Sequence, residues 1–350
     1  MMVKLKRFIK MIIAGLAHYL GFIKRGDTNR FIILMYHRVS ENYAFENKYT
    51  QSEINISQEH FDCQMKRLAR DYHVVSFDDL IEMLNNGGSV PPRMAVITFD
   101  DGWYDNYEVA FPILKKYNLP ATIFLATDFI GTDQIMWFLK LGVLLNGDNA
   151  LITRFVSELN GLIEVEGGAP IVLGSDPMVN RNIILTSSKN IDFEKLISLV
   201  DEYYIKGETG FPDANGRQWM LDWDNIKEMR QDGITFGSHG KSHRILKGLN
   251  IEQIEAETAE SKLIIENKLG ETINHFAYPN GDYDENCITA LKKTGYKSAV
   301  AIYPQGKNEI KMFALNRVGM HQNVSEGVMG GFSKVLFESR IHQFFKPMGR

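Results

Sequence analysis

Two short stretches of the 350-residue chain carry residue types that could do chemistry together. In Val96-Ile97-Thr98-Phe99-Asp100-Asp101-Gly102, apolar and β-branched residues lead into two adjacent carboxylates and a glycine. The pattern predicts a buried strand that delivers acids to its C-terminal end, where parallel α/β folds keep their chemistry. Successive strand residues point to opposite sides, so the two acids need not share a role. One could bind a metal ion while the other acts as base on a water the ion activates. Asp followed by Gly is also ordinary capping and turn chemistry, and the stretch alone leaves both readings open. The second stretch is Gly237-Ser238-His239-Gly240-Lys241-Ser242-His243, directly after the apolar run Ile234 to Phe236. Histidines four apart fall on one side of a helical turn and can reach a single ion. Alone such a pair is more often coincidence; at a strand end, in a chain with two acids at another, it predicts a metal site. One carboxylate and two imidazoles leave positions open for water and substrate, as catalytic sites do, and imidazole favours zinc over magnesium or calcium.

These groups need strands to position them, and the chain supplies a series. The apolar run Arg30 to Val39 reads as a continuous strand that ends on a histidine, His37. Ser57 and Ser76 cap helices with apolar residues on one side (Phe61, Met65, Leu68; then Leu80, Ile81, Leu84), and Val74-Val75 makes a short strand between them. After the acidic strand come a helix from Tyr107 to Tyr117 and the strand Pro120 to Leu125. The rhythm breaks over residues 131–218, where two apolar helical patches, Trp137 to Leu145 and Ile191 to Tyr204, predict a largely helical insertion over one mouth of a barrel. It then resumes with a helix from Asp222 to Arg230, the strand Ile234 to Gly237, and a long helix capped by Asn250 with Gln253 and closed by Gly270. Strand Asn274 to Pro279, helix Glu285 to Lys293, strands Ser298 to Tyr303 and Phe313 to Met320, and a helix around Val335 to Phe345 complete it. Alternating strands and helices predict parallel βα units, and about seven of them favour a closed or nearly closed α/β barrel; a doubly wound open sheet is the alternative.

Composition sets the limits. At 44% hydrophobic and 23% charged the chain is ordinary for a globular protein, which excludes the disordered classes. Cys63 and Cys287 form no metal-type pair, so the fold does not depend on a disulfide framework. The net charge is −4, yet residues 1–25 carry Lys4, Lys6, Arg7, Lys10, Lys24 and Arg25 with no acid. The body therefore has no global attraction to nucleic acid, while the N-terminus has a local one to anionic surfaces. Leu5, Phe8, Ile9, Ile12, Ile13, Leu16, Leu20 and Ile23 recur at helical spacing, so residues 1–28 are expected to hold a basic amphipathic helix. Such a helix either lies at the surface of an anionic membrane or packs on the core. A secretory signal is the rival, disfavoured because His18 interrupts the apolar run and Lys24-Arg25-Gly26-Asp27 is a poor cleavage site. The expectation is a cytoplasmic protein peripheral to the inner membrane face.

Read together, the motifs resemble those of the polysaccharide deacetylases, the chitin-oligosaccharide deacetylase-like carbohydrate esterases. The resemblance rests on Thr98 to Gly102, Ser238-His239-x-x-x-His243 and Phe276-Ala277-Tyr278-Pro279-Asn280-Gly281, in that order. Met35-Tyr36-His37-Arg38-Val39 and Asp105-Asn106-Tyr107 add to it, and it covers residues 31–320 apart from the insertion. It implies a distorted (β/α) barrel over residues 29–350, a divalent metal such as Zn2+, and hydrolysis of an N-acyl, typically N-acetyl, group from an amino sugar. The sugar would sit in a polysaccharide or a lipid-linked glycan precursor. By position, Asp101, His239 and His243 would bind the metal and Asp100 would be the general base. His37 would be the general acid, with His321 as the alternative. Tyr278 and Asn280 would bind substrate, the Asn280 backbone N–H facing the oxyanion. Ala277 stands where many relatives have an arginine that orients the base, and Arg317 on a later strand is a candidate substitute. Trp103, Tyr104 and Tyr278 could stack on sugars or simply pack. His18, His60, His73, His275 and His342 are read as structural or surface residues. Two other functions stay open: a non-catalytic carbohydrate-binding relative, suggested by Ala277, and a phosphohydrolase with an aspartate nucleophile, disfavoured because Gly102 occupies the place of its second acid.

Overall fold

The computed structural model describes residues 2–20, 31–87, 90–188, 191–207, 218–302 and 310–343, with the backbone alone for 2–7, 17 and 18. Lys24, Arg25, Ile23, Arg30, Tyr303 and Phe345 therefore lie outside the described residues, as do the side chains of Lys4, Leu5, Lys6, Arg7 and His18. The chain divides into two compact units. One comprises residues 1–41, 52–132 and 220–350, and the other residues 42–51 and 133–219.

The first unit is built on a closed parallel barrel. Its strands are β1 (Ile32–Tyr36), β5 (Met94–Phe99), β6 (Ala121–Leu125), β7 (Ile234–Ser238), β8 (His275–Ala277), β9 (Ser298–Ala301) and β10 (Leu315–Gly319). β1 closes the ring by pairing with β10 on one side and β5 on the other. Three short strands lie outside this ring of seven: β2 (Arg38–Ser40) pairs with β3 (Asn55–Ser57), and β4 (His73–Val74) adds to the start of β5. The first strand thus ends at Tyr36, next to His37 as expected, and the rest of the apolar run belongs to β2. Arg38 pairs with Asp105, 2.8 Å from both Nε and an Nη atom to Oδ2, and Val39 N–H donates to Asp105 Oδ1. These bonds give the chain beyond Tyr36 a partner outside the barrel.

Burial explains why the strands lack polar alternation. All six residues of β5 are buried, with Ala95, Ile97 and Phe99 facing the surrounding helices and Val96 facing inward with Ile33, Phe124, Ala277, Val300 and Leu315. A strand covered on both faces reads as a continuous apolar run. The helices are α1 (Met2–Tyr19), α3 (Gln58–Asp71), α4 (Phe77–Asn85), α5 (Phe111–Tyr117), α10 (Trp223–Gln231), α11 (Ile251–Leu269), α12 (Glu285–Lys293), α13 (Gln322–Ser325) and α14 (Lys334–Ile341). Phe77 and Leu80 of α4 join the inner cluster. Ser57, Ser76 and Asn250 cap their helices as the sequence predicts, Asn250 in a full capping box with Gln253. Gly270 ends α11 at φ +68°, a conformation that side chains with a Cβ rarely adopt.

The second unit is helical: α2 (Tyr43–Glu46), α6 (Trp137–Leu144), α7 (Asn149–Val165), α8 (Pro177–Ser187) and α9 (Phe193–Lys206). It has its own core, in which Leu151, Phe155, Leu159 and Ile163 of α7 meet Leu196, Val200 and Tyr203 of α9. The sequence reading foresaw α6 and α9 but not α7 and α8, and did not foresee that residues 42–51 belong with them. A Cβ on Gly142 of α6 would come within 2.0 Å of the Tyr49 carbonyl oxygen, so only glycine allows that approach.

Candidate metal centre

β5 ends one residue before the acids, and the backbone there is forced into an uncommon shape. Asp100 N–H still donates to Tyr36 O at 3.0 Å, continuing the ladder with β1. Asp101 then takes φ +77° and Gly102 φ +83°. A non-glycine residue in the left-handed region costs about 1–3 kcal/mol and persists where its surroundings enforce it. His243 and Asn280, at φ +58° each, share that conformation, so three residues singled out from sequence are three of the strained ones.

The strain has a visible result at Asp101. Its Oδ2 accepts from Trp103 Nε1 at 2.8 Å, while its buried Oδ1 makes no hydrogen bond among the described residues. That oxygen faces His239 Nε2 at 3.4 Å and His243 Nε2 at 3.3 Å. Ligands held about 2.0–2.1 Å from a tetrahedral ion are about 3.4 Å apart, so these separations fit one divalent ion. The three groups lie within 4.8 Å of one another. His239 Nδ1 must donate to the Ala277 carbonyl, 2.7 Å away, since that oxygen can only accept. This leaves the Nε2 lone pair pointing at Asp101, the tautomer a metal needs. Burial alone would raise the Asp101 carboxyl pKa, but the two imidazoles outweigh it and hold the group well below the usual carboxylate range. The donor set, its tautomer and its orphaned oxygen therefore fit a metal, and a purely structural site would be closed by a fourth protein ligand.

The histidine spacing works differently from the expectation. Residues 239–243 form a loop, not a helical turn, with Gly240 at φ +82°. Glu257 of α11 holds it: Oε2 accepts from the N–H groups of Lys241 and Ser242 at 2.9 Å each, and Oε1 from Ser242 Oγ at 2.6 Å. The end of β6 secures the other side, through Thr127 N–H to Gly240 O and Asp128 N–H to Lys241 O.

Asp100 is oriented from inside the barrel. Arg317 of β10 is fully buried, and its two terminal nitrogens each lie 2.6 Å from one Asp100 oxygen, a bidentate pair. Arg317 also donates to Thr98 Oγ1 at 3.3 Å, and it sits in register with Ile33 of β1. Ala277 faces the same interior with only a methyl group. Arg317, the candidate substitute for an arginine at Ala277, is thus the guanidinium that pairs with Asp100. Burial would raise the Asp100 pKa, but the charge and hydrogen bonds of Arg317 outweigh it and hold the group below the usual carboxylate range.

The two histidines weighed as proton donors stand differently. His37 Nε2 lies 3.9 Å from Asp100 Oδ2, and Asn106 holds the His37 carbonyl at 2.7 Å. Burial lowers the His37 pKa despite the nearby Asp101 and Asp100. His321, just before α13, is pushed down to about 3 by burial, with the charges of Arg340 and His37 adding to it.

Two aromatic expectations are corrected by burial. Tyr278 has no exposed surface, donates to Phe313 O at 3.0 Å and stacks on Tyr283, so its ring offers no face to a sugar. Trp103 is also fully buried, between its bond to Asp101 and the Arg38 guanidinium 4.9 Å from its ring. Tyr104 is partly exposed. Asn280 is exposed, and its side chain donates to Asp282 Oδ2. Sequence reasoning missed Glu257 and the bond from Trp103, although Trp103 lies two residues beyond Asp101.

The polysaccharide deacetylase family matches residues 87–158 and 189–299, more than half of the chain, and the protein belongs to that family. The YxkH protein of Bacillus subtilis is 24% identical over 314 residues, covering 89% of this chain and 79% of that protein. The poly-β-1,6-N-acetyl-D-glucosamine N-deacetylase of Staphylococcus epidermidis is 27% identical over 224 residues, covering 60% of this chain and 72% of that one. Among solved structures, the Streptococcus pyogenes deacetylase PplD, in complex with acetate, aligns with a TM-score of 0.53 at 20% identity, over 86% of this chain and 95% of its own. At that identity the likeness is one of fold.

Proposed function

We propose that the protein is a metal-dependent hydrolase that removes N-acetyl groups from amino sugars of a glycan. One observation carries the reading: an orphaned Asp101 oxygen faces the Nε2 atoms of two imidazoles, beside a second carboxylate held bidentately by a buried arginine. The name of the Staphylococcus epidermidis relative makes β-1,6-linked N-acetylglucosamine the first substrate to try. A lipid-linked glycan precursor would present the same amide.

Asp101, His239 and His243 would hold the ion, with zinc favoured by the imidazoles. When bound, a divalent ion supplies Lewis acidity, which makes an amide carbonyl more electrophilic and a water easier to deprotonate. Asp100 is the base: Arg317 keeps it ionised and fixes both oxygens, so that only its remaining lone pairs are free to take a proton. Charge then builds on the amide oxygen, and the Asn280 backbone N–H is assigned the stabilising donor role. Burial disfavours a charge on His37, so it is assigned the proton that Asp100, 3.9 Å away, takes from water. Passing that proton to the amine nitrogen as the C–N bond breaks yields acetate and the free amino sugar. The non-catalytic reading loses its motive, since Arg317 fills the role missing at Ala277.

The test is acetate release from N-acetylglucosamine oligomers and lipid-linked N-acetyl sugars, before and after chelation and with zinc restored. The reading expects release that chelation abolishes and zinc restores. A zinc-loaded protein that frees no acetate from any of these substrates would overturn it.

A further inference from the structure

Helix α1 is attached to the barrel unit by a narrow contact and leaves its broad apolar side uncovered. Met11 and Ala14 pack against Val335 and Leu336 of α14, and Ala14 is fully buried. On a different side of the helix, Phe8, Ile9, Ile12, Ile13 and Leu16, with Leu20 just beyond its end, are between 44% and 58% exposed. Their spacing of three and four residues makes one continuous face. Soluble monomers rarely keep so large a contiguous apolar patch in water, and such patches mark a docking surface.

Charge identifies what covers it. The first 25 residues carry Lys4, Lys6, Arg7, Lys10, Lys24 and Arg25 and no acid, and the Lys10 side chain is exposed beside the apolar face. A second copy of the chain would bring two such sets of cations together, which repel. A bilayer of anionic lipid offers the complement, acyl chains for the apolar face and phosphate groups for the cations. Among the described residues no helix is long and apolar enough to cross a membrane, so the complementary mode is lying in its surface. We propose that α1 is a membrane-docking helix, seated in the head-group region of an anionic leaflet while Met11 and Ala14 keep it fixed to the barrel unit. The barrel unit then rides on the membrane through a packed helix rather than a loose tether. This inference does not depend on the catalytic reading.

The experiment is flotation of the full-length protein with vesicles of phosphatidylcholine alone and of phosphatidylcholine with phosphatidylglycerol. Two variants, Ile12→Glu with Leu16→Glu, and Lys6→Glu with Lys10→Glu, are compared after circular dichroism shows that each is folded. The wild type should float with the anionic vesicles and far less with neutral ones. The first variant should bind at least about tenfold more weakly, because two apolar side chains no longer enter the bilayer. The second should lose most of its preference for anionic lipid. A wild type that stays in solution with anionic vesicles, or a first variant that floats as well as wild type, overturns the proposal. So does light scattering that shows a wild-type dimer which the first variant dissolves, since the face would then join two copies.

Discussion

The barrel interior holds two histidine and carboxylate clusters, one toward each end, and they are built on opposite principles. Near the start of β8, His275 has a partner for each ring nitrogen: Ser298 Oγ at 2.9 Å and Asp78 Oδ1 at 2.8 Å. Its ring also packs edge-on against Phe77. Nothing is left over, and the backbone there is ordinary strand. Beyond the ends of β5 and β7, by contrast, Asp101 Oδ1 is buried without a donor, two imidazoles face it, and both Asp101 and His243 are held at positive φ. A buried polar atom left unsatisfied costs about 1–3 kcal/mol, and strain adds to this. Such a cost makes sense where a ligand completes the arrangement. A cluster whose polar atoms are all satisfied has no place for a ligand, whereas the unsatisfied, strained one has.

That contrast can be broken by mutation. The largest expected effect is on chemistry at the unsatisfied end: Asp100→Asn is isosteric but gives up one of the two Arg317 bonds and cannot take a proton, so turnover should fall by about 10²–10⁴-fold while bound metal stays at the wild-type level. Parallel measurement of acetate release and metal content separates the two, and near-normal turnover would assign the base elsewhere. A smaller effect is expected from Trp103→Phe, which removes the donor to Asp101 Oδ2 and leaves the ligand free to turn. Metal affinity should drop by about 10–100-fold, read by competition with a chelating dye, and an unchanged affinity would leave Trp103 a packing residue only.

The smallest effect belongs to the satisfied end. His275→Gln should leave metal content alone and lower stability in a pH-dependent way. The hydrogen bond from His275 lowers the Asp78 pKa below its ordinary 3.8, outweighing burial. A depressed carboxylate pKa contributes stability above the unfolded value and loses it as pH falls through the folded one. The Tm difference between wild type and His275→Gln should therefore be full at neutral pH and shrink below about pH 4. A gap that widens on acidification would contradict the pairing.

The satisfied cluster is legible in the sequence only as a structural or surface histidine, because its partners Asp78 and Ser298 lie far away along the chain. The unsatisfied one was more legible. Its acids and histidines sit at strand ends, where apolar runs stop abruptly at polar residues, and Arg317 was traceable as a long cation within an otherwise apolar strand. Burial set the limit: Tyr278 and Trp103 look alike as exposed or packed aromatics, and only packing against Phe313 and Asp101 decides between them. The capping box of Asn250 with Gln253 was legible because its partners are three residues apart. Glu257 was not, since an acid on the long helix α11 carries no local mark of the loop it grips. The same holds for residues 42–51, whose place with α6 to α9 is a matter of long-range packing.

Metal stoichiometry by mass spectrometry on wild type, the double variant His239→Ala with His243→Ala, and His275→Gln tests the central claim most directly. Wild type and His275→Gln should each carry about one divalent ion, chiefly zinc, and the double variant none. Full occupancy in the double variant, or loss of the ion from His275→Gln alone, would contradict it.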